Sequence, residues 1–280
     1  MTRVLVTGVR GKTGVPLAGL LAARGVEVLG GSSDPSTVTL DGVRPTAFSW
    51  DDPSGWPAAT AGVDAVYVVR PDRADAPGLL TDLMATLADG THVVLLSEQA
   101  ADQVGPDGWS PTGERAVRES GHSWTVLRPS WFMQVLTDRR FYRDAVAGGD
   151  LPFPSAGARV AWVDARDIAA VAAAALLDSG HDGAVHEITG PEAVSLPRTA
   201  ELLTRATGHP VTHRDVPAEE ALAGLEGFER DLTALTFDRV RAGVFAAVTD
   251  TVERVTGRPA RSLEEFLADA APELRPAAQR

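Results

Sequence analysis

Short apolar runs alternate with helical patterns through the first half of the chain. The first run, residues 4–7, is rich in β-branched side chains, and the apolar positions from 15 to 23 then recur at the spacing of one helix face. Further strands are predicted at 26–30, 63–69, 92–96 and 124–127, and a weaker one ends near 48–50. Helices are predicted over 77–88 and 112–119. This alternation predicts an α/β fold in which helices cover both faces of a parallel sheet.

The pattern becomes less regular after Pro129. Predicted in order are a helix over 131–147, a loop over 148–154, a short strand at 159–163, an alanine-rich helix over 165–177, a strand at 185–189, a helix over 197–207 and a last strand at 211–216. Everything from residue 218 onward is predicted to be helical, with turns at Gly227 and 257–259. Since no repeat or low-complexity linker divides the chain, we expect residues 130–280 to form a smaller mixed α/β cap, interwoven with a 1–129 core in a single structural unit.

Three glycines, Gly8, Gly11 and Gly14, follow the first predicted strand at regular spacing. In a dinucleotide-binding turn the first glycine makes the turn, the second lets the backbone approach phosphate, and the third lets the helix pack on the strand. Backbone N–H groups at the start of the following helix favour a bound anion. A plain strand–helix turn is the alternative, but the setting between a strand and a helix predicts a Rossmann-type, doubly wound sheet that binds a dinucleotide.

The end of the second predicted strand bears on the choice of dinucleotide. An enzyme that uses NAD usually carries an acidic residue there to hold the ribose hydroxyls, whereas this chain has small neutral residues before Ser32 and Ser33. Arg10 and Lys12 lie in the glycine loop, where they can face a 2′-phosphate, although Asp34 would favour NADH if it pointed inward. We therefore predict NADPH, with NADH as the less favoured cofactor.

Other residues complete the predicted cofactor site. Asp51 and Asp52 fall where this fold meets the adenine, with a helix cap before Pro53 as the equally weighted alternative for both. The remaining predicted contacts are Thr13, Val69, Arg70, Pro71 and Pro129.

Composition narrows the class of protein further. The chain has 280 residues, of which 44% are hydrophobic, and it has no cysteine, so disulfide and thiolate chemistry are excluded. Its formal net charge of −12 argues against nucleic acid as a partner. Because no signal peptide or membrane-length apolar run is seen, we expect a cytoplasmic protein. We also expect a monomer or homodimer that acts on a small molecule. The histidines lack metal-ligand spacing, so no metal is predicted.

Four segments carry a resemblance to a known family. They are the glycine loop at 7–14, Thr-Val-Leu-Arg-Pro-Ser-Trp-Phe-Met at 125–133, Trp-Val-Asp-x-x-Asp-Ile-Ala at 162–169 and Thr-Gly-Pro-Glu at 189–192. Together they resemble the NmrA-like, atypical short-chain dehydrogenase/reductases, and the loop at 8–13 and the segment 255–262 are similar to the ergot-alkaloid dehydrogenase type. The resemblance covers nearly the whole chain and implies an NAD(P)H-dependent oxidoreductase. It does not indicate which substrate the protein acts on.

The usual proton relay of short-chain reductases is missing. That relay needs a tyrosine and a lysine spaced YxxxK, in positions that fall here near Pro106 and Ser110. The chain has 2 tyrosines, and its single lysine is Lys12. Three functions remain open: a reductase of an iminium, quinone or enone that needs little acid catalysis, a non-catalytic NADP(H) sensor, and a redox-neutral isomerase or cyclase.

Candidate residues for catalysis come from the resemblance and from side-chain chemistry. Ser97 stands where the family places an active-site hydroxyl, and Asp164 is a possible proton source or cation partner, with a turn serine and a helix cap as the respective alternatives. Trp131 is assigned to the catalytic centre as part of an aromatic wall for a flat substrate. The predicted substrate pocket is completed by Trp109, Phe132, Met133, Gln134 and Trp162, with ordinary core packing as the alternative for the apolar members.

Overall fold

The computed structural model describes residues 2–274, which fall into two compact units. Within the described residues, the first comprises 2–129 with 165–187, and the second comprises 130–164 with 188–274. Residues 165–187, which the sequence assigns to the cap, are therefore in the first unit, because their helix and strand extend its sheet. The predicted ranges also include residue 1 and residues 275–280, which lie outside the described residues.

The first unit alternates strands and helices along the chain. Its strands are β1 (Arg3–Thr7), β2 (Glu27–Ser32), β3 (Val43–Ala47), β4 (Ala65–Val69), β5 (His92–Leu96), β6 (Ser123–Pro129) and β9 (Ala184–Ile188). Its helices are α1 (Gly14–Ala23), α2 (Trp56–Thr60), α3 (Ala76–Met84), α4 (Trp109–Arg118) and α6 (Ala165–Leu177). The predicted bounds of β5 and α6 are confirmed residue for residue, and the other strands predicted before Pro129 are found within a few positions.

The seven strands form one sheet in the order β3-β2-β1-β4-β5-β6-β9, and the pairings from β3 through β6 are parallel. The strand order reverses at β1, which lies between β2 and β4. In open parallel sheets, ligands bind beyond the carboxyl ends of the strands at such a reversal. The predicted Rossmann-type, doubly wound class is confirmed, and the glycine loop lies at the reversal.

Helices cover both faces of this sheet because its strands are apolar on both sides. Alternate residues of the central strands, such as Leu5, Val66 and Leu95, pack into one core with residues of α2, α3 and α4. The helices α1 and α6 pack against one another. Ten of the thirteen residues of α6 are buried, so this helix is apolar nearly all around, as a helix enclosed by other elements should be.

The second unit is a mixed α/β assembly around its own aromatic core. Its strands are β7 (Asp150–Pro152), β8 (Arg159–Val160), β10 (Val194–Ser195) and β11 (Thr212–Arg214), paired as β7 with β11 and β8 with β10. Its helices are α5 (Arg143–Ala147), α7 (Leu196–Thr207), α8 (Ala218–Ala221), α9 (Gly227–Arg241), α10 (Thr251–Thr256) and α11 (Leu263–Leu274). The helical character predicted from residue 218 onward is confirmed for α8 to α11, up to residue 274, whereas Gly227, predicted as a turn, is the first residue of α9.

Two predictions in this unit are wrong. Residues 131–147 are not one helix: they contain a 3-10 turn, Met133–Leu136, and the short α5. The backbone of this segment is engaged elsewhere, since Met133 N donates to Val163 O at 2.9 Å and Val163 N donates to Trp131 O at 2.9 Å. The loop predicted at 148–154 contains β7, because pairing with β11 outweighs the local glycine and proline signal.

Candidate cofactor and active site

The glycine loop between β1 and α1 has the geometry that its sequence predicts. Gly8 has a positive φ of 64°, and Gly11 N donates to Gly8 O at 2.8 Å, which closes the turn. A Cβ at Gly14 would lie 2.3 Å from Gly8 O, so only glycine allows α1 to start this close to the turn. The loop thus keeps its backbone exposed at the carboxyl end of β1, where a phosphate can approach it.

Hydrogen bonds from two threonines and a tyrosine hold this loop on the sheet. Thr7 Oγ1 donates to Tyr67 O at 3.1 Å and accepts from Val69 N at 2.8 Å, which ties β1 to β4. Tyr67, itself fully buried, donates its hydroxyl to Thr13 Oγ1 at 3.0 Å. Thr13 is only 3% exposed, and its hydroxyl accepts this bond inside the protein.

A cavity of about 460 Å³ opens beside the loop, and all of its lining residues belong to the first unit. The predicted cofactor residues that line it are Gly8, Arg10, Gly11, Ser32, Ser33, Asp51, Val69, Arg70 and Pro71. Lys12, Thr13, Gly14 and Pro129 do not line it, and the sequence analysis missed Gly31, Phe48, Ser49, Trp50 and Arg73. A larger cleft of about 550 Å³, along α3 and α4, contains no predicted site residue.

The hydroxyl and carboxylate groups after β2 have defined partners. Asp34 accepts from Ser36 N at 3.1 Å and from Ser36 Oγ at 2.6 Å, and it caps the following turn without lining the cavity. Ser32 Oγ donates to Asp34 O at 3.0 Å, so this donor is used within the turn. Ser33 and Arg10 are exposed and line the cavity. Asp34, the acidic residue that follows β2, does not line it.

The carboxylates after β3 differ in role. Asp52 caps the turn at Pro53, accepting from Ser54 N at 3.1 Å and from Ser54 Oγ at 2.6 Å, and these bonds lower its pKa. Asp51 lines the cavity and accepts from Arg73 Nη1 at 2.5 Å. The helix-cap alternative therefore belongs to Asp52, and Asp51 is held at the cavity by an arginine.

An arginine at the end of β4 is held by residues of α4. The Arg70 guanidinium carbon lies 3.8 Å from the centroid of the Trp109 ring, and Arg70 Nη2 donates to Ser110 Oγ at 3.1 Å. The Ser110 hydroxyl donates to the Glu98 carboxylate, and Trp109 Nε1 donates to Arg73 O at 2.9 Å. Trp109, predicted as a substrate contact, is here the platform on which a cavity-lining arginine stacks.

Ser97 is bonded to a buried carboxylate. Its hydroxyl donates to Glu114 Oε1 at 2.7 Å, and Arg128 donates to both Glu114 oxygens, each at 2.8 Å. Arg118 adds a further bond to Glu114 Oε2 at 2.9 Å. Because Glu114 is 2% exposed, its charge is balanced almost entirely by these donors.

Arg128 also bonds to two further segments of the first unit. Arg128 Nη1 donates to Asp102 at 2.9 Å and to Glu187 at 3.2 Å, and Ala100 N donates to both Glu187 oxygens at 3.2 Å. Burial raises the pKa of Glu187, while the bonds from Ala100 and Arg128 oppose that rise. Ala100 has a positive φ of 52°, an uncommon conformation for a residue with a side chain. The network thus fixes the chain directly after Ser97.

The remaining predicted residues lie in the second unit. Met133 and Trp162 are buried in its core, where Trp162 Nε1 donates to Thr199 Oγ1 at 3.2 Å. Trp131 and Phe132 are partly buried and pack against the same core. The Trp131 ring centroid lies 4.9 Å from that of Phe153.

Gln134 and Asp164 form a polar pair within the second unit. Gln134 Nε2 donates to Asp164 Oδ1 at 2.9 Å. Asp164 is fully buried, so its carboxylate depends on such donors for stabilisation. The structure therefore brings these two predicted residues together.

Residues 2–274 contain neither a candidate metal site nor a candidate membrane span. No group of three or more histidine or acidic side chains there is arranged to hold a metal ion. Within the same residues, no helix combines the length and the apolar character that crossing a bilayer requires.

Comparison with known proteins places the chain in a family. A model of the NmrA-like family matches residues 113–269, and the chain belongs to this family. The (4-alkanoyl-5-oxo-2,5-dihydrofuran-3-yl)methyl phosphate reductase of Streptomyces griseus is 33% identical over 287 residues, with 98% of this chain and 99% of the relative covered. Agroclavine dehydrogenase of Claviceps fusiformis is 30% identical over 281 residues, with 95% and 96% covered. The predicted resemblance, including its ergot-alkaloid branch, is confirmed.

A solved structure supports the same fold. The NADPH-dependent quinone oxidoreductase of Escherichia coli, in complex with NADPH, superposes with a TM-score of 0.79 at 20% identity. The match covers 95% of this chain and 99% of that one.

Proposed function

We propose that this protein is an NADPH-dependent reductase of a small organic acceptor: a cyclic imine or iminium, a quinone or an enone. The observation that carries the proposal is the cavity beside the glycine loop, which lies at the reversal of the strand order. Two relatives that match over nearly their whole length, a reductase and a dehydrogenase, support the same class of reaction.

The cofactor is held mainly by the first unit. The exposed backbone of Gly8 and Gly11 and the N-terminus of α1 bind the diphosphate. Arg10 and Ser33 receive the 2′-phosphate, because both are exposed at the cavity rim and Asp34 is occupied by its turn. Asp51 and Trp50 bound the part of the cavity that receives the adenosine.

The reaction needs little help from a side-chain acid. The bound nicotinamide supplies a hydride, and the protein contributes orientation and the exclusion of water. Neither tyrosine is suited to donate a proton, since burial raises the pKa of both Tyr67 and Tyr142. An iminium carbon is already cationic, and a quinone or an activated enone accepts hydride readily, so these acceptors match a site without a Tyr–Lys pair.

For the acceptor itself, we propose contacts in the second unit. Trp131 and Phe132 are partly exposed and offer aromatic surface, while Met133 and Trp162 support them from the core. Gln134 and Asp164 provide a polar pair for a nitrogen or oxygen of the acceptor. Ser97 acts through its bond to Glu114 in positioning the end of β5.

The cofactor assignment is tested by replacing Arg10. We expect Arg10→Ala to weaken NADPH binding by about tenfold or more, because a charge-assisted bond to the 2′-phosphate is lost, and to change NADH binding by less than about twofold. Calorimetric titration of both cofactors measures this. Arg24→Ala, which removes an exposed charge at the far end of α1, is the matched control and should alter neither affinity. An equal loss for both cofactors in Arg10→Ala would contradict the assignment.

A further inference from the structure

A cation at the end of β4 is unusually well fixed for a residue that lines an open cavity. Arg70 lines the cavity with Gly8 and Gly11, yet it is half-buried. Its guanidinium stacks on the Trp109 ring at 3.8 Å and donates to Ser110 at 3.1 Å. A long side chain normally loses considerable conformational entropy when it binds a ligand, and here much of that cost is met before binding.

The residues that hold Arg70 are themselves held. Ser110 is 1% exposed, and its hydroxyl both accepts from Arg70 and donates to Glu98. The Trp109 indole is anchored by its bond to Arg73 O at 2.9 Å. Arg70 therefore rests on a supported platform at the start of α4.

The cation lies next to the glycine turn. Arg70 directly follows Val69, and a Cβ at Gly8 would lie 3.4 Å from Val69 Cβ, so the end of β4 packs against the glycine turn. The rim beyond β2, where Arg10 and Ser33 lie, is a separate part of the cavity lining. A guanidinium presents its N–H donors as a fork in its own plane, and this geometry suits the paired oxygens of a phosphate.

We propose that Arg70 binds the 5′-diphosphate of the dinucleotide, and that Trp109, Ser110 and Glu98 are positioning residues that hold Arg70 for this contact. The inference rests on the proposed function, because it requires that a dinucleotide binds at the glycine loop. It also gives a cationic role near residue 110, where a short-chain reductase would carry its lysine, to Arg70, which directly follows β4.

The test compares NADPH with NADH, since both contain the diphosphate and only NADPH contains the 2′-phosphate. We expect Arg70→Ala to weaken both by the same factor, about tenfold to a hundredfold. Arg70→Lys keeps the charge without the planar fork and should cost both about threefold to tenfold. Arg115→Ala removes an exposed charge from the same α4 and should leave both affinities unchanged.

The platform is tested by a pair of substitutions at Trp109. Trp109→Leu removes the stacking surface and should weaken both cofactors by about threefold or more, whereas Trp109→Phe keeps an aromatic face and should restore most of the binding. A role in folding alone would lower stability in Trp109→Leu without this recovery of affinity at matched folded concentration.

The outcomes separate this inference from the proposed function. Equal weakening of NADPH and NADH in Arg70→Ala and Arg70→Lys supports the diphosphate contact. Unchanged affinities, or a loss limited to NADPH, would overturn it while the cofactor site itself stands. If the unaltered protein binds neither cofactor, the proposed function fails, and the inference fails with it.

Discussion

Glu114 shows how a single residue can organise the interior of the first unit. The residue is 2% exposed, and its carboxylate accepts hydrogen bonds from Ser97, Arg118 and Arg128. Leaving one member of a buried charged pair without its partner is far more costly than the pair is stabilising. We therefore expect the protein to depend on Glu114 for folding more than on any exposed charge of α4.

This dependence gives a stability prediction. Glu114→Ala should lower the free energy of unfolding by about 3 to 5 kcal/mol, because Arg128 loses its main buried partner. Glu114→Gln should be milder, since the amide oxygen still accepts hydrogen bonds. Urea unfolding measures both, and Glu119→Ala, at the exposed C-terminal end of α4, should change the value by less than about 0.5 kcal/mol. A Glu114→Ala variant as stable as that control would contradict the role assigned to the network.

At the same scale, local sequence predicted one part of the candidate site better than another. Arg10, Asp51 and Arg70, which line the cavity, could be proposed from the sequence because they stand at fixed offsets from a glycine turn or a strand end. Glu114 and the platform at Trp109 depend on residues far away in sequence, which only the folded sheet brings together. A buried glutamate within a helix of mixed polarity gives no local signal that it will bond to Ser97.

Among the elements, the β5 and β6 pair contains a titratable link. His92 and Ser123 are the first residues of the two strands and are paired in register. His92 Nδ1 lies 2.7 Å from Ser123 Oγ, and its Nε2 lies 3.1 Å from Thr125 Oγ1. Burial lowers the pKa of His92, with the Asp182 charge opposing and the His181 charge assisting that shift.

The lowered pKa sets the direction of a pH effect. Below the ordinary histidine value of about 6.5, the unfolded chain binds a proton at this position more readily than the folded protein does. The free energy of unfolding should therefore fall as the pH decreases through about 6.5. His92→Asn should flatten this slope in urea unfolding series, with values at pH 8 separating any general loss of stability. An unaltered slope in the variant would contradict the assignment to His92.

The elements also show where pattern-based prediction works. The apolar strands of the first unit and the alanine-rich α6 were predicted because burial on both sides leaves a strong local pattern. Residues 131–147 were predicted as a helix because their apolar spacing resembles one, yet Phe132 forms a bridge to Val163 and the helical turns are short. Tertiary pairing decided that segment, and a local pattern does not contain it.

For the molecule as a whole, the glycine loop and its cavity occur in a chain that lacks the Tyr–Lys pair of short-chain reductases. The first unit contains the glycine loop and its cavity, which three arginines line: Arg10, Arg70 and Arg73. The second unit contains the aromatic core with Trp131 and Phe132 at its partly exposed margin. A fold does not by itself determine a reaction, so the proposed reaction must be tested by turnover.

The most direct test is the consumption of NADPH by purified protein in the presence of a quinone, an enone or a cyclic iminium acceptor. The account predicts tight NADPH binding and steady loss of the reduced nicotinamide absorbance with at least one of these classes, with reduced product formed in equal amount. Tight binding without turnover on any class would contradict the reductase and favour a cofactor sensor or redox-neutral chemistry. Absence of binding would contradict the cofactor site itself.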